Sequence, residues 1–436
     1  MVDVELTAEW RAVIDRLEKD RQSLFLTGQA GTGKSTFLQH FRKQTKKRLV
    51  VLSPTGLAAV NIQGETIHSF FRFSPNITTK EAKQKGHGCD DPDVYVEVDI
   101  LVIDEISMVR ADLLDCVDQF LRAVTRSPLP FGGKQMLFIG DLFQLPPILT
   151  DEEKPYFLIQ YRSPYFFDAH CLAEMNLPVF ELTQVFRQKD PVFLDVLNAV
   201  RRNECSATQL ARLNGRLDMG CIDRQPHAIV LTTTNKMAES INLANLSRIK
   251  NPEHRFQAKL QGQFNPNSAP TYVELVLKKD AQVMFVNNDR DKRWVNGSMG
   301  VIIEIRIAEI DIRLADSEEI VTIQPYAWEV FKTVWNEEEK ELEKKVLGSF
   351  TQFPIKLAWS ITIHKSQGQT FDKAIIHLGS GSFCHGQTYV ALSRCRSLEG
   401  LQLRRSIRPS DIILDPCVVE FHKGIADSID RETARA

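Results

Sequence analysis

The stretch LFLTGQAGTGKSTFL constrains this chain more than any other. Gly28-x4-Gly33-Lys34-Ser35 follows an apolar run and opens a helical one, the context in which this spacing cradles phosphate rather than forming a plain Gly-rich turn. Glycine lets the backbone wrap an anion with its N–H groups inward, and the helix N-terminus adds positive potential. Gly28, Ala30, Gly31, Thr32, Gly33 and Thr36 are therefore nucleotide-binding candidates. Lys34 is expected to hold the β- and γ-phosphates, and Ser35 a Mg²⁺.

Around this loop, short apolar runs alternate with helical stretches, the signature of a parallel sheet covered on both faces. Strands are predicted over 23–27, 48–53, 99–104 and 135–140. A second alternating set starts near Val179, with a strand over 228–234, a helix over 236–247, strands over 355–363 and 373–378, and a helix from Gln387. The fold class is thus α/β with two lobes. Two segments break the rhythm. Residues 80–93 are polar and loop-like, a small excursion from the first lobe. From about 263 to 353 the pattern turns to period-2 runs such as Ile310, Ile312 and Leu314, which predicts a small inserted β-barrel. Inside it the charge run NEEEKELEKK (336–345) reads as a solvated helix or loop.

With 436 residues, the chain is long enough for several domains that each bury a core. Its 54 Lys and Arg against 56 Asp and Glu leave a net charge of −2, which excludes histone-like coating of nucleic acid and requires any such site to be local. The acidic start MVDVELTAEW lacks the features of a signal or transit peptide, and no apolar run approaches the ~18 residues of a membrane span, so a cytoplasmic protein is expected. The 8 cysteines are scattered without metal-ligand spacing and read as reduced, buried side chains.

A Mg²⁺-nucleotide needs a carboxylate at the end of a neighbouring strand, and DILVIDEIS supplies Asp104 and Glu105 after four apolar residues. Asp104 is assigned to the metal and Glu105 to polarising the attacking water. Gln144, after another strand in QMLFIGDLFQLPPI, and Arg187, in LTQVFRQ, fit phosphate sensing and charge stabilisation across an interface. Taken alone, Arg187 is more readily a surface ion pair, and Arg394 in YVALSRCRS shares that ambiguity.

Together these blocks resemble a superfamily 1 helicase, specifically the petite-integration-frequency (PIF) family of DNA helicases related to RecD. The resemblance rests on GQAGTGKST (28–36), SPTGLAAVNIQGETIHSFF (53–71), LVIDEISM (101–108), GDLFQLPPI (140–148), LTQVFRQ (182–188), TTTN (232–235), AWSITIHKSQGQTFD (358–372) and YVALSRC (389–395). The segment 107–122 also resembles the family's signature helix. The resemblance implies two RecA-like P-loop lobes with ATP between them: 1–70 with 96–178, and 179–262 with 354–436. It implies a wedge insertion over 71–95 in the first lobe and an SH3-like barrel over 263–353 in the second. It also implies Arg187 and Arg394 as arginine fingers, and Gln367 and Gly368 as the link between nucleotide and DNA. The expected activity is ATP- and Mg²⁺-dependent 5′-to-3′ translocation on single-stranded DNA by a monomer. Substrates would be forks and G-quadruplexes, with roles in repair, recombination and telomere maintenance, and the protein would associate with a bacterial nucleoid. At one position the chain departs from the family. In LTAEW, Trp10 stands where the family carries the Gln that reads the adenine edge, and indole cannot reproduce paired amide hydrogen bonds.

A helicase groove holds phosphates without reading sequence, through N–H and hydroxyl donors with occasional stacking. First-lobe candidates for DNA contact are Pro54, Thr55, Asn61, Thr66 and His68; those of the second lobe are Thr234, Asn235, His364, Lys365 and Ser366. Phe70, Phe71 and Phe73 read as packing rather than stacking residues. Two alternatives stay open at this level: a nucleotide-gated binding switch that does not translocate, and an RNA-directed motor.

Overall fold

The computed structural model describes residues 7–188, 190–217, 228–266, 269–289 and 291–433, and of Leu57, Asn61 and 426–433 only the backbone. One parallel sheet runs in the order Glu65–Thr66, Leu49–Ser53, Ile100–Ile103, Gln135–Ile139, Leu24–Gly28, Val179–Leu182. Its central strands are nearly continuous apolar runs because both faces are covered. Leu24, Leu26, Ile100, Val102 and Leu137 pack on one side with Phe37 and Phe41 of the helix Lys34–Gln44. Phe25, Leu101, Ile103 and Phe138 pack on the other with Leu114, Val117 and Leu121 of the helix Ala111–Thr125. A second parallel sheet, ordered Ser360–Thr362, Ile229–Thr232, Ala374–His377, Leu401–Leu403, forms the other lobe.

Between Ile229–Thr232 and Ser360–Thr362 the chain leaves the second lobe and builds antiparallel sheets. In Ile310–Leu314 the residues Ile310, Ile312 and Leu314 are buried while Arg313 is exposed, the alternation that the period-2 run predicts. The long hairpin Tyr326–Asn336 with Glu341–Gln352 reaches back to the first lobe. There the Thr333 N–H donates to Glu65 Oε1 at 2.9 Å, and Lys332 pairs with Asp91 at 3.0 Å.

Several expectations need correction. Val179–Leu182 pairs with Leu24–Gly28, so the first lobe runs past 178 and keeps this edge strand. The insertion begins before 263, because Glu253–Gln257 and Lys259–Gly262 hydrogen-bond to Glu274–Lys278 and Glu341–Gln352. It ends after 353, because Ile355–Leu357 pairs with Gln282–Phe285; the single strand expected over 355–363 is two strands in different sheets. The charge run 336–345 is neither helix nor loop throughout but the turn and arms of the long hairpin. Residues 80–93 are not a loop: Thr79–His87 is a helix with a Thr78–Glu81 capping box. That helix lies so close to Ala111–Thr125 that a Cβ on Gly86 would stand 2.5 Å from the Phe120 carbonyl oxygen. Phe70, Phe71 and Phe73 are buried with Tyr95 and Phe120, which makes them packing residues.

Candidate nucleotide and DNA site

The carboxyl ends of the first sheet's strands open on a cleft of about 970 Å³ facing the second lobe. Gly31 and Gly33 adopt left-handed conformations (φ +87° and +83°), and Gly33 caps the helix Lys34–Gln44, whose first-turn N–H groups face the cleft. Space as well as conformation requires glycine at 31, since a Cβ there would stand 2.5 Å from Cβ of Arg187. Ala30, Gly31, Gly33, Lys34, Ser35 and Thr36 line the cleft. Gly28 and Thr32 lie behind it: Lys34 Nζ donates to the Gly28 carbonyl at 2.7 Å, and the Thr32 hydroxyl to the Gln29 carbonyl at 3.0 Å. Burial lowers the Lys34 pKa, offset in part by Asp141 and Glu105.

Glu105 enters the cleft from a left-handed backbone (φ +54°), a strained position for a residue with a side chain. Burial raises the pKa of both Asp104 and Glu105, and their mutual repulsion raises that of Asp104 further. Nearby positive charge would return both to carboxylates. One exposed hydroxyl, Ser35, and one buried carboxylate, Asp104, form a hard-oxygen donor set that suits a Mg²⁺ shared with phosphates. Among the described residues no group of three or more His, Cys, Asp or Glu side chains gathers into a cage of its own.

Gln144 and Gln367 meet at Glu105. Gln367 Nε2 donates to Glu105 Oε2 at 3.0 Å and to Gln144 Oε1 at 3.3 Å, and Gly368 lines the cleft beside them. Arg187 and Arg394 also line it. Arg187 donates to the Ser393 carbonyl at 3.3 Å. Arg394 is 1% exposed and donates to neutral groups, the Val390 and Gln369 carbonyls and the Ser393 hydroxyl. Burial, and then Arg187, push its pKa down to about 9, and among the described residues neither guanidinium forms an ion pair with a carboxylate.

Sequence reasoning missed four residues here. Asp141 is fully buried, accepts from Gln144 Nε2 at 3.2 Å and pairs with the buried Arg201 at 3.1 Å. The Arg201 guanidinium also stacks over Phe143 at 4.1 Å. The Tyr389 hydroxyl accepts from the Ala30 N–H at 3.0 Å, and Gln188 Nε2 donates to the Ser393 and Cys395 carbonyls. Asp141 and Tyr389 stood inside recognised blocks; nothing local marked Arg201. Trp10 is 2% exposed and set edge-on against Phe37, so it supports the P-loop from beneath and offers no face to a base.

Three of the DNA candidates line cavities between a lobe and the insertion. Thr66 lines one of about 590 Å³ between the first lobe and the insertion, with Trp328, Phe331 and Lys344. Asn235 and Lys365 line another of about 410 Å³ at the junction of the second lobe and the insertion. Thr55, Thr66 and Thr234 each cap a helix by accepting a backbone N–H, which leaves the hydroxyl proton free to donate outward. Pro54 is half-buried beside Thr55. Burial lowers the pKa of His68 and His364, so these imidazoles are neutral near pH 7. The side chain of Asn61 lies outside the described residues. Ser366 is corrected: it is 0% exposed and its hydroxyl donates to the Ile363 carbonyl at 2.7 Å, which holds the turn after Ser360–Thr362 and leaves nothing for a strand.

A family model described as PIF1-like helicase matches residues 5–209. The ATP-dependent DNA helicase Pif1 of Bdellovibrio bacteriovorus is 31% identical over 430 residues, covering 97% of this chain and 92% of that protein. The chain belongs to the PIF1-like helicase family. Human ATP-dependent DNA helicase PIF1 is 34% identical, and there the match covers 96% of this chain but 63% of the relative's length. Among solved PIF1-like structures, Bacteroides Pif1 in complex with ADP-AlF4 aligns at TM-score 0.90 with 34% identity over 98% of each chain. Bacteroides Pif1 bound to single-stranded DNA aligns at TM-score 0.68 with 34% identity over 97% of each chain. PIF1-like membership accounts for the two-lobed α/β fold with its β insertion. Among the described residues no helix is long and apolar enough to cross a membrane.

Proposed function

We infer that this chain is an ATP-dependent DNA helicase that couples hydrolysis in the inter-lobe cleft to movement along one strand. The observation that carries this reading is the meeting of Glu105 and Gln144 with Gln367. The group placed to activate water is hydrogen-bonded to the segment bearing His364 and Lys365, on the DNA side of the other lobe. A nucleotide switch needs only one P-loop domain; a contact of this kind serves a motor.

The P-loop and Lys34 would hold ATP, and Ser35 and Asp104 the Mg²⁺, which offsets phosphate charge when bound. Glu105 accepts a proton from the water that attacks the γ-phosphorus, and the bond to the ADP oxygen breaks. Arg187 and Arg394 bring positive charge to the equatorial oxygens. Gln144 reports the γ-phosphate to Gln367. Closure then draws the surface at Asn235 and Lys365 toward that at Thr55 and Thr66, and release resets it. Opening a base-pair step costs about 1.4 kcal/mol of stacking, well within the reach of one hydrolysis.

We propose 5′-to-3′ translocation by a monomer on forked duplexes and G-quadruplexes, acting on bacterial nucleoid DNA. The family pattern supports this polarity. Release of a labelled strand from 5′-tailed but not 3′-tailed duplex, lost in Lys34→Ala, is the expected result. ATP turnover without strand release would make the chain a switch, and preference for an RNA tail would make it an RNA motor.

A further inference from the structure

The cavity at the junction of the second lobe and the insertion holds a charge that the mechanism above does not use. Lys356 is the middle residue of Ile355–Leu357. Ile355 and Leu357 turn into the apolar core of the insertion, so strand alternation sends Lys356 to the opposite face, into the 410 Å³ cavity. It is 9% exposed. Among the described residues nothing pairs with it, and the charge it senses is another cation, Lys365, on the same cavity wall. The carboxylate on this wall, Glu239, is exposed and forms no ion pair with either lysine.

A lysine buried without a counter-charge costs the fold free energy, and a second cation beside it raises that cost. An anion between the two would offset both. We propose that Lys356 and Lys365 form a subsite for one backbone phosphate of the nucleic-acid strand. This rests on the helicase reading above and assigns to that track a contact absent from the recognised motifs.

A phosphodiester fits better than a free anion for three reasons. The cavity is far larger than a phosphate ion and of a size with nucleotide-sized ligand pockets. The half-exposed ring of Tyr272 on its wall offers a base a stacking face. Asn235, beginning the 14-residue helix Asn235–Arg248, opens on the same space and adds the partial positive charge of a helix N-terminus. Burial, and then Lys365, push the Lys356 pKa down to about 8; a bound phosphate would raise it again.

The test is fluorescence anisotropy of a labelled oligo-dT across a NaCl series with wild type, Lys356→Met and Lys356→Arg. Methionine fills similar volume without charge, so Lys356→Met should melt no lower than wild type and keep its DNA-free ATPase. It should bind oligo-dT about tenfold more weakly, with a log K against log salt slope smaller by about 0.7, and Lys356→Arg should retain binding. Wild-type affinity and slope in Lys356→Met would overturn the subsite while leaving the helicase reading intact. Failure of wild type to bind oligo-dT at all would instead remove that reading. Inorganic phosphate that raises the melting temperature of wild type but not of Lys356→Met, with equal DNA binding, would assign the cavity to a free anion and also overturn the proposal.

Discussion

Gln367 Nε2 lies 3.0 Å from Glu105 Oε2, so an amide of the second lobe holds the first-lobe carboxylate that we propose as the base. The bond spans 262 residues of sequence and competes with water for the same oxygen. The bond ties Glu105 to the segment of the second lobe that carries Gln367.

Glu105→Gln keeps the shape and the bond to Gln367 but cannot take a proton. Turnover should fall by about 10² to 10⁴ while nucleotide affinity is kept. Single-turnover hydrolysis beside nucleotide titration separates the two; normal turnover would remove Glu105 as the base. Gln367→Ala should leave basal hydrolysis measurable and abolish its stimulation by oligo-dT.

Arg187→Ala should cost turnover more than binding, by about 10³ in kcat, because among the described residues the guanidinium has no carboxylate partner and is free to meet the charge of the transition state. An equal loss in nucleotide affinity and kcat would make Arg187 a binding residue. Arg394 differs, since its donors already serve three neutral groups; Arg394→Ala should lower the melting temperature as well as kcat.

Arg201 and Asp141 form a buried pair that orients Gln144 from behind. Arg201→Ala strands the Asp141 carboxylate and should destabilise the fold by about 3 to 5 kcal/mol. Arg201→Met with Asp141→Asn should recover most of that stability in chemical denaturation but not the kcat. Full recovery of kcat would limit the pair to a packing role.

Trp10 leaves the base without an amide partner at this position, and the Gln188 amide N–H groups are taken by backbone carbonyls. Phe186, 49% exposed at the cleft, offers only a face, which every base shares. GTP, CTP and UTP should therefore support kcat/KM within about tenfold of ATP. A preference for ATP of a hundredfold or more would require another group that reads the adenine edge.

Lys356 links the proposed subsite to stability. Its pKa is about 8 in the folded protein against 10.5 when unfolded. Between those values the unfolded chain binds more protons, so this group's penalty is full below about pH 8 and is relieved as pH rises toward 10.5. The unfolding free energy of wild type should gain on that of Lys356→Met across this window. Parallel pH profiles would mean that Lys356 is solvated.

The P-loop, the acidic pair after Ile100–Ile103 and the insertion's alternation were legible because each depends on neighbours a few residues away. The Lys34 helix must follow its glycines, and strands buried on both faces must be apolar throughout. The hairpin over 336–345 was not legible, because its lysines and glutamates look solvated until Lys344 comes to lie over Phe331 and against the first lobe. Arg201 and Lys356 were hidden for the same reason: each sits where its own element would show it to water.

Local order along the chain determined which chemical groups are present and which backbone turns carry them, since capping, periodicity and the glycine conformations act over one or two turns. Only the tertiary structure decided which of those groups lose their water and whom they then face. It set Gln367 on Glu105, sealed Arg201 against Asp141, took Ser366 out of the groove and left Lys356 buried beside Lys365. Burial strengthens every unscreened charge, and no window of sequence states what will cover it.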